Sequence, residues 1–145
     1  MSVDVGVRGV IERPIAEVSS YAGDPATAPE WSRRIESAEW LTEAPVRLGS
    51  RIRYRARLLG RTFEYTYELV ELSPGEQVAM RTIGGPFPMQ TVYTWRPVGD
   101  RVTHMAIRHH GGPTGWRRVL QPLISRVLRR ATTSDLAVLT RLLER

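Results

Sequence analysis

Three tyrosines, Tyr54, Tyr65 and Tyr67, recur at alternating positions in the middle of the chain. A phenol can donate a hydrogen bond to a carbonyl, orient a polar group on a ligand, or steady an enolate that develops in a transition state. A buried phenol left without a partner costs about 1–3 kcal/mol, so inward tyrosines imply water, ligand or polar partners inside. The alternative is that their hydroxyls reach the rim or a backbone carbonyl. The histidines are His104, His109 and His110. Adjacent residues of a strand point to opposite faces, so His109 and His110 do not converge as metal ligands would. His104 is expected opposite Trp95 as a packing pair. Glu71 shares the parity of the tyrosines, which places it inward at a strand end. No nucleophile–base arrangement is visible. Gly84-Gly85 and Gly111-Gly112 lack the strand-to-helix setting and the lysine of a phosphate loop, and read as loops over a pocket mouth.

The elements that position these groups follow from hydrophobic period and punctuation. Val3, Val5, Val7 and Ile11 alternate as one face of a strand over residues 2–12. Pro14 opens a helix carrying Ile15, Val18 and Tyr21, which Gly23-Asp24-Pro25 ends, and a second short helix is predicted from Pro25 to Trp31. Strands are predicted at 35–42, 51–58, 62–72, 77–83, 89–97 and 101–109. After Gly111–Gly115 the chain is predicted helical. Trp116, Leu120, Ile124, Val127, Ala131, Val138 and Leu142 form an apolar stripe, and Pro122 should kink this helix or mark its start. The fold class is therefore α+β: a curved antiparallel sheet of about seven strands wrapped around a long C-terminal helix, with two short helices after the first strand. Residues 1–145 are read as one domain.

Residues 51–58 alternate arginine with apolar side chains. With Gly60-Arg61 as the hairpin loop, Leu58 faces Phe63, Ala56 faces Tyr65, Tyr54 faces Tyr67 and Ile52 faces Leu69. On the other face Arg57 meets Glu64 and Arg53 meets Glu68. A one-residue slip would scramble both faces. With Pro74-Gly75 as the next loop, Leu69 faces Met80, Tyr67 faces Thr82 and Glu68 faces Arg81. The outer face then carries an Arg53–Glu68–Arg81 ladder.

The chain has 145 residues, a net charge of +6 and no cysteine, which excludes disulfides, thiolate nucleophiles and cysteine-ligated metals. All 21 basic residues are arginine, a pattern of GC-rich coding. The charge could draw anionic ligands or lipid head groups, whereas no aromatic-studded basic groove of the kind that binds nucleic acid is evident. No signal peptide or membrane span is visible, and the protein is read as cytoplasmic, monomer or homodimer.

The order of elements resembles the START-like (SRPBCC, helix-grip) superfamily over essentially the whole chain. The carriers are Ile11-Glu12-Arg13-Pro14-Ile15-Ala16-Glu17-Val18, Pro29-Glu30-Trp31, Leu48-Gly49-Ser50-Arg51, Tyr67–Pro74 and Leu139–Glu144. Within it the chain is most similar to the small polyketide cyclase/dehydrase-like proteins. The resemblance implies a deep apolar cavity between sheet and long helix, closed by loops, but no single activity. The leading expectation is binding or carriage of a hydrophobic or aromatic small molecule. Its pocket would be lined by Tyr54, Tyr65, Tyr67, Leu69, Met80 and Thr82, with Ile124 and Val127 from the helix. The alternative is a polyketide cyclase or dehydratase using the same tyrosines. No cofactor and no metal is implied.

Overall fold

The computed structural model describes residues 3–58 and 60–145. Seven strands form one curved antiparallel sheet: β1 (Val3–Ile11), β2 (Ile35–Trp40), β3 (Arg51–Leu58), β4 (Arg61–Ser73), β5 (Gln77–Gly84), β6 (Met89–Gly99) and β7 (Val102–Gly111). Their spatial order is β1-β7-β6-β5-β4-β3-β2. Helices α1 (Ile15–Ala22) and α2 (Ala28–Trp31), joined by a 3₁₀ turn at Pro25–Thr27, fill the connection from β1 to β2. A 3₁₀ segment at Gly115–Leu120 leads into α3 (Gln121–Leu143), which packs across β1 and α2.

Pro122 stands in the first turn of α3, where its missing N–H costs nothing, so it starts the helix and does not kink it. Gly9 marks where α3 crosses β1. A Cβ there would come 3.2 Å from Leu136 Cδ2, so glycine permits the close approach. The core gathers Ile11, Ile52, Leu69, Met80, Met105 and Leu139, all at most 2% exposed.

The faces of β3 and β4 are as expected, but the first hairpin is shifted by two residues. Tyr54 pairs with Tyr65, Ile52 with Tyr67 and Ala56 with Phe63, and Leu58 pairs with Arg61. The two-residue loop therefore includes Gly60, whose φ of 76° suits glycine; the expected loop at Gly60-Arg61 lies one residue too late. A shift of two preserves every side chain's face, so face patterning alone could not detect it. It does exchange charge partners. Glu68 reaches Arg51 at 3.3 Å and Arg81 at 3.6 Å, while Arg53 pairs with Glu39 and Glu64. The ladder is Arg51–Glu68–Arg81, not Arg53–Glu68–Arg81.

The second hairpin keeps the expected pairs Leu69–Met80, Tyr67–Thr82 and Glu68–Arg81. Its turn holds three residues, since Ser73 pairs with Gln77, and a bulge between Leu69 and Glu71 absorbs the extra one. That bulge turns Glu71 outward, against the inward placement its parity suggested. It is exposed and accepts a hydrogen bond from Gln77 Nε2 at 2.9 Å. His104 pairs with Arg96, and Trp95 with Met105, so the expected His104–Trp95 pair does not form.

The apolar stripe of the C-terminal segment departs most from expectation. Ile124 is buried, but Trp116 is 79% exposed and Leu120 40%. The buried face of α3 runs instead through Gln121, Ile124, Leu128, Thr132, Asp135, Leu136 and Leu139. Polar residues inside that face set up the site below.

Candidate ligand cavity

Period-2 alternation on β3 and β4 aims Tyr54, Tyr65 and Tyr67 at the concave side of the sheet, and all three line a small cavity under α3. Ala56, Phe87, Met89 and Leu128 supply apolar wall, and Arg34 and His109 supply polar wall. The cavity volume is about 30 Å³. That is room for about one or two waters, far narrower than the deep cavity the resemblance implied. Phe87 covers it from the β5–β6 loop, with its ring edge-on to Tyr65 at 6.4 Å between centroids.

The three phenols are not equivalent. Tyr54 donates to the carbonyl of Pro25 at 2.7 Å, so its hydroxyl is spent on holding the 3₁₀ turn. Burial pushes its pKa well above the ordinary tyrosine value. Tyr65 is also raised by burial, to about 12, and its ring lies 6.4 Å from that of Tyr67. Tyr67 stands 3.4 Å from Thr91 Oγ1, and Thr91 Oγ1 stands 2.8 Å from His109 Nδ1. These three groups form a hydroxyl–hydroxyl–imidazole chain on β4, β6 and β7. It can run in either direction. When Thr91 donates to Nδ1, Nε2 carries the proton and is a donor; when Nδ1–H donates to Thr91, Nε2 is an acceptor. His109 is 6% exposed, and its pKa falls to about 3. Burial is the main cause, followed by the charges of Arg34 and His110. The imidazole is therefore neutral at physiological pH.

Arg34 enters from the segment between α2 and β2. Its Nε is buried and has no hydrogen-bond partner among the described residues. Behind it Asp135 of α3 accepts a hydrogen bond from Ser32 Oγ at 2.9 Å. Burial raises the Asp135 pKa, and the Arg34 charge, the Ser32 hydroxyl and the Arg33 backbone N–H oppose that rise. The site thus offers a guanidinium with an unused donor, a neutral imidazole and a phenol around one apolar space. Such a set can hold a carboxylate, an enolate or a keto oxygen, and can take or give one proton.

The remaining residues expected to line the pocket lie elsewhere. Leu69 and Met80 are packed in the core at 2% and 1% exposure. Thr82 Oγ1 accepts from the Met89 backbone N–H at 2.9 Å, which ties the ends of the β5–β6 loop together. Ile124 packs with Val3, Val5 and Met89, and Val127 is half-buried while its neighbour Leu128 reaches the cavity. Sequence reasoning missed Arg34, Thr91, His109 and Asp135. His109 could have been found only by fixing the register across the Gly84–Pro88 loop; nothing in the pattern around Arg34 marks it. Among the described residues no group of His, Asp and Glu could hold a metal ion, and no helix is long and apolar enough to cross a membrane. A larger open groove of about 570 Å³ lies between α1 and the β4–β5 turn, lined by Ile15, Leu72, Val78 and Trp95.

Comparison with known proteins places this geometry. A family model described as "Polyketide cyclase / dehydrase and lipid transport" matches residues 2–144. The Zhui aromatase/cyclase from Streptomyces sp. R1128 superposes with a TM-score of 0.84 at 17% identity, covering 100% of this chain and 95% of that one. A START superfamily protein from Mycobacterium smegmatis gives 0.80 at 14% identity, with 97% of each chain covered. The major latex-like protein 151 of Panax ginseng gives 0.71 at 11% identity, covering 99% of this chain and 95% of that one. At these identities the likeness is one of fold. A search of curated proteins finds no match.

Proposed function

The chain belongs to the polyketide cyclase / dehydrase and lipid transport family, and from that premise we propose that it binds a hydrophobic or aromatic small molecule between the sheet and α3, with an acidic or keto oxygen of the ligand held by Arg34. The observation that carries this reading is the buried, unpartnered Arg34 Nε beside an apolar space. A buried guanidinium donor is costly to leave unmade, and a ligand oxygen would satisfy it. Aromatic and aliphatic walls from Tyr65, Phe87, Met89 and Leu128 supply affinity, and Tyr67 and His109 orient the polar end. A ligand larger than the present cavity requires Phe87 to move off Tyr65.

Calorimetric titration with 2-naphthoate and with 2-naphthalenemethanol tests this. Arg34→Gln is expected to weaken the acid by about tenfold or more, the value of one charge-assisted hydrogen bond, and to leave the alcohol nearly unchanged. An acid that binds Arg34→Gln as tightly as the wild type overturns the assignment.

A second reading is favoured by the neutral imidazole on its Tyr67–Thr91 chain. In a cyclase or dehydratase acting on a poly-β-keto chain, His109 would move the proton and Arg34 and Tyr67 would steady the enolate. His109→Gln would then lower product formation by about a hundredfold or more while affinity held. A carrier loses no turnover, because it has none.

A further inference from the structure

The lead-in to α3 carries an amphipathic face that the sheet does not cover. Trp116, Val119, Leu120 and Leu123 have the spacing of one helical stripe, yet they are 79%, 78%, 40% and 46% exposed. Large apolar side chains gathered in this way mark a contact surface. The segment that carries them has charge of one sign. Residues 101–134 contain seven arginines and no aspartate or glutamate. Of these arginines only Arg108 makes an ion pair among the described residues, with Asp4. Arg117 lies over the Trp116 ring with its guanidinium carbon 5.4 Å from the centroid, and Arg118 and Arg126 flank the apolar residues in sequence.

We propose that this face docks on an anionic lipid bilayer, with Trp116, Val119, Leu120 and Leu123 entering the interface and the arginines meeting the head groups. Trp settles at the level of the head groups, aliphatic side chains partition below it, and guanidinium groups bind phosphate. A second copy of the chain is a poorer occupant, because a symmetric contact would press Arg117 and Arg118 against their own images. A nucleic acid would use the tryptophan and the arginines but gain little from Val119, Leu120 and Leu123, which offer no stacking face. The face also lies near the cavity. Leu128, a cavity wall, follows Leu123 by about 7.5 Å along the helix axis. Docking would bring the cavity end of α3 close to the lipid. The proposal does not depend on what the cavity holds.

Flotation with vesicles of phosphatidylcholine, with and without phosphatidylglycerol, tests it on the full chain with no aromatic probe added. The protein should float with the anionic vesicles and not the neutral ones, and added salt should release it. Arg117→Glu/Arg118→Glu should weaken binding by about tenfold or more, and Trp116→Ser by severalfold. Both variants change exposed residues and should keep the wild-type melting curve by circular dichroism. Five results would each overturn the proposal. They are no flotation, equal binding to neutral vesicles, undiminished binding by both variants, a lipid-independent dimer that Trp116→Ser dissolves, and displacement from the vesicles by a single-stranded oligonucleotide.

Discussion

The two faces of the sheet carry similar residue types in opposite settings. Outside, Arg51, Arg53, Arg57 and Arg81 meet Glu36, Glu39, Glu64 and Glu68 in pairs of 2.8–3.7 Å, mostly with solvent-exposed side chains. Inside, Arg34, His109 and the three tyrosines line one small cavity, with Thr91 hydrogen-bonded to His109 and the buried Asp135 hydrogen-bonded to Ser32 behind Arg34. The outer pairs are screened and contribute little each. The inner groups have few partners, and burial shifts His109, Tyr67 and Asp135 away from their ordinary ionisation. Polar groups on the outer face serve solubility and register. Those inside cost stability unless they are paired, which is why they are read as a site.

Acid should expose the difference most strongly. His109 has its pKa lowered to about 3 in the folded protein, against 6.5 when unfolded. Below pH 6.5 the unfolded chain takes up a proton that the folded chain refuses, so stability falls as pH drops from about 6.5 toward about 3. By pH 4 the loss from this group is about 3 kcal/mol. Asp135, whose pKa is raised, works in the opposite sense, as its folded form holds a proton more firmly. Denaturant titrations of wild type and His109→Gln across this range isolate the histidine: the variant should lack the extra slope. Equal slopes would mean that His109 is reached by water.

Next in size is Thr91→Val. It leaves His109 Nδ1 and the Tyr67 hydroxyl without their shared partner and should cost about 1–3 kcal/mol by chemical denaturation. On the outer face Glu68→Ala removes contacts to both Arg51 and Arg81, yet should cost no more than about 1 kcal/mol. If Glu68→Ala proved as costly as Thr91→Val, the outer face would be covered by a partner in solution and the contrast would fail.

The sequence revealed the faces better than the alignments between strands. Alternation fixed Tyr54, Tyr65 and Tyr67 inward because each neighbouring residue is charged or polar. It could not distinguish the observed first hairpin from one shifted by two residues, since both satisfy it. A bulge after Leu69 has no signature in the residues themselves, so Glu71 was misplaced. The helix misled for a related reason. Thr132 and Asp135 are polar and lie outside the expected apolar stripe, yet they are 1% and 5% exposed. Trp116 and Leu120 are apolar and read as core, yet they stand out in solvent. Periodicity reports that a stripe exists, not what covers it. Arg34 was illegible because its placement depends on α2, β2 and α3 meeting, a contact made across about a hundred residues of chain.

Entry of a ligand into the interior beside Arg34 is best tested by chemical-shift mapping with 2-naphthoate. On titration the largest shifts should fall on Tyr65, Tyr67, Phe87, His109 and Leu128, and Arg34→Gln should abolish them at the same ligand concentration. Shifts centred instead on Ile15, Leu72, Val78 and Trp95 would place the ligand in the open groove beside α1 and contradict the account.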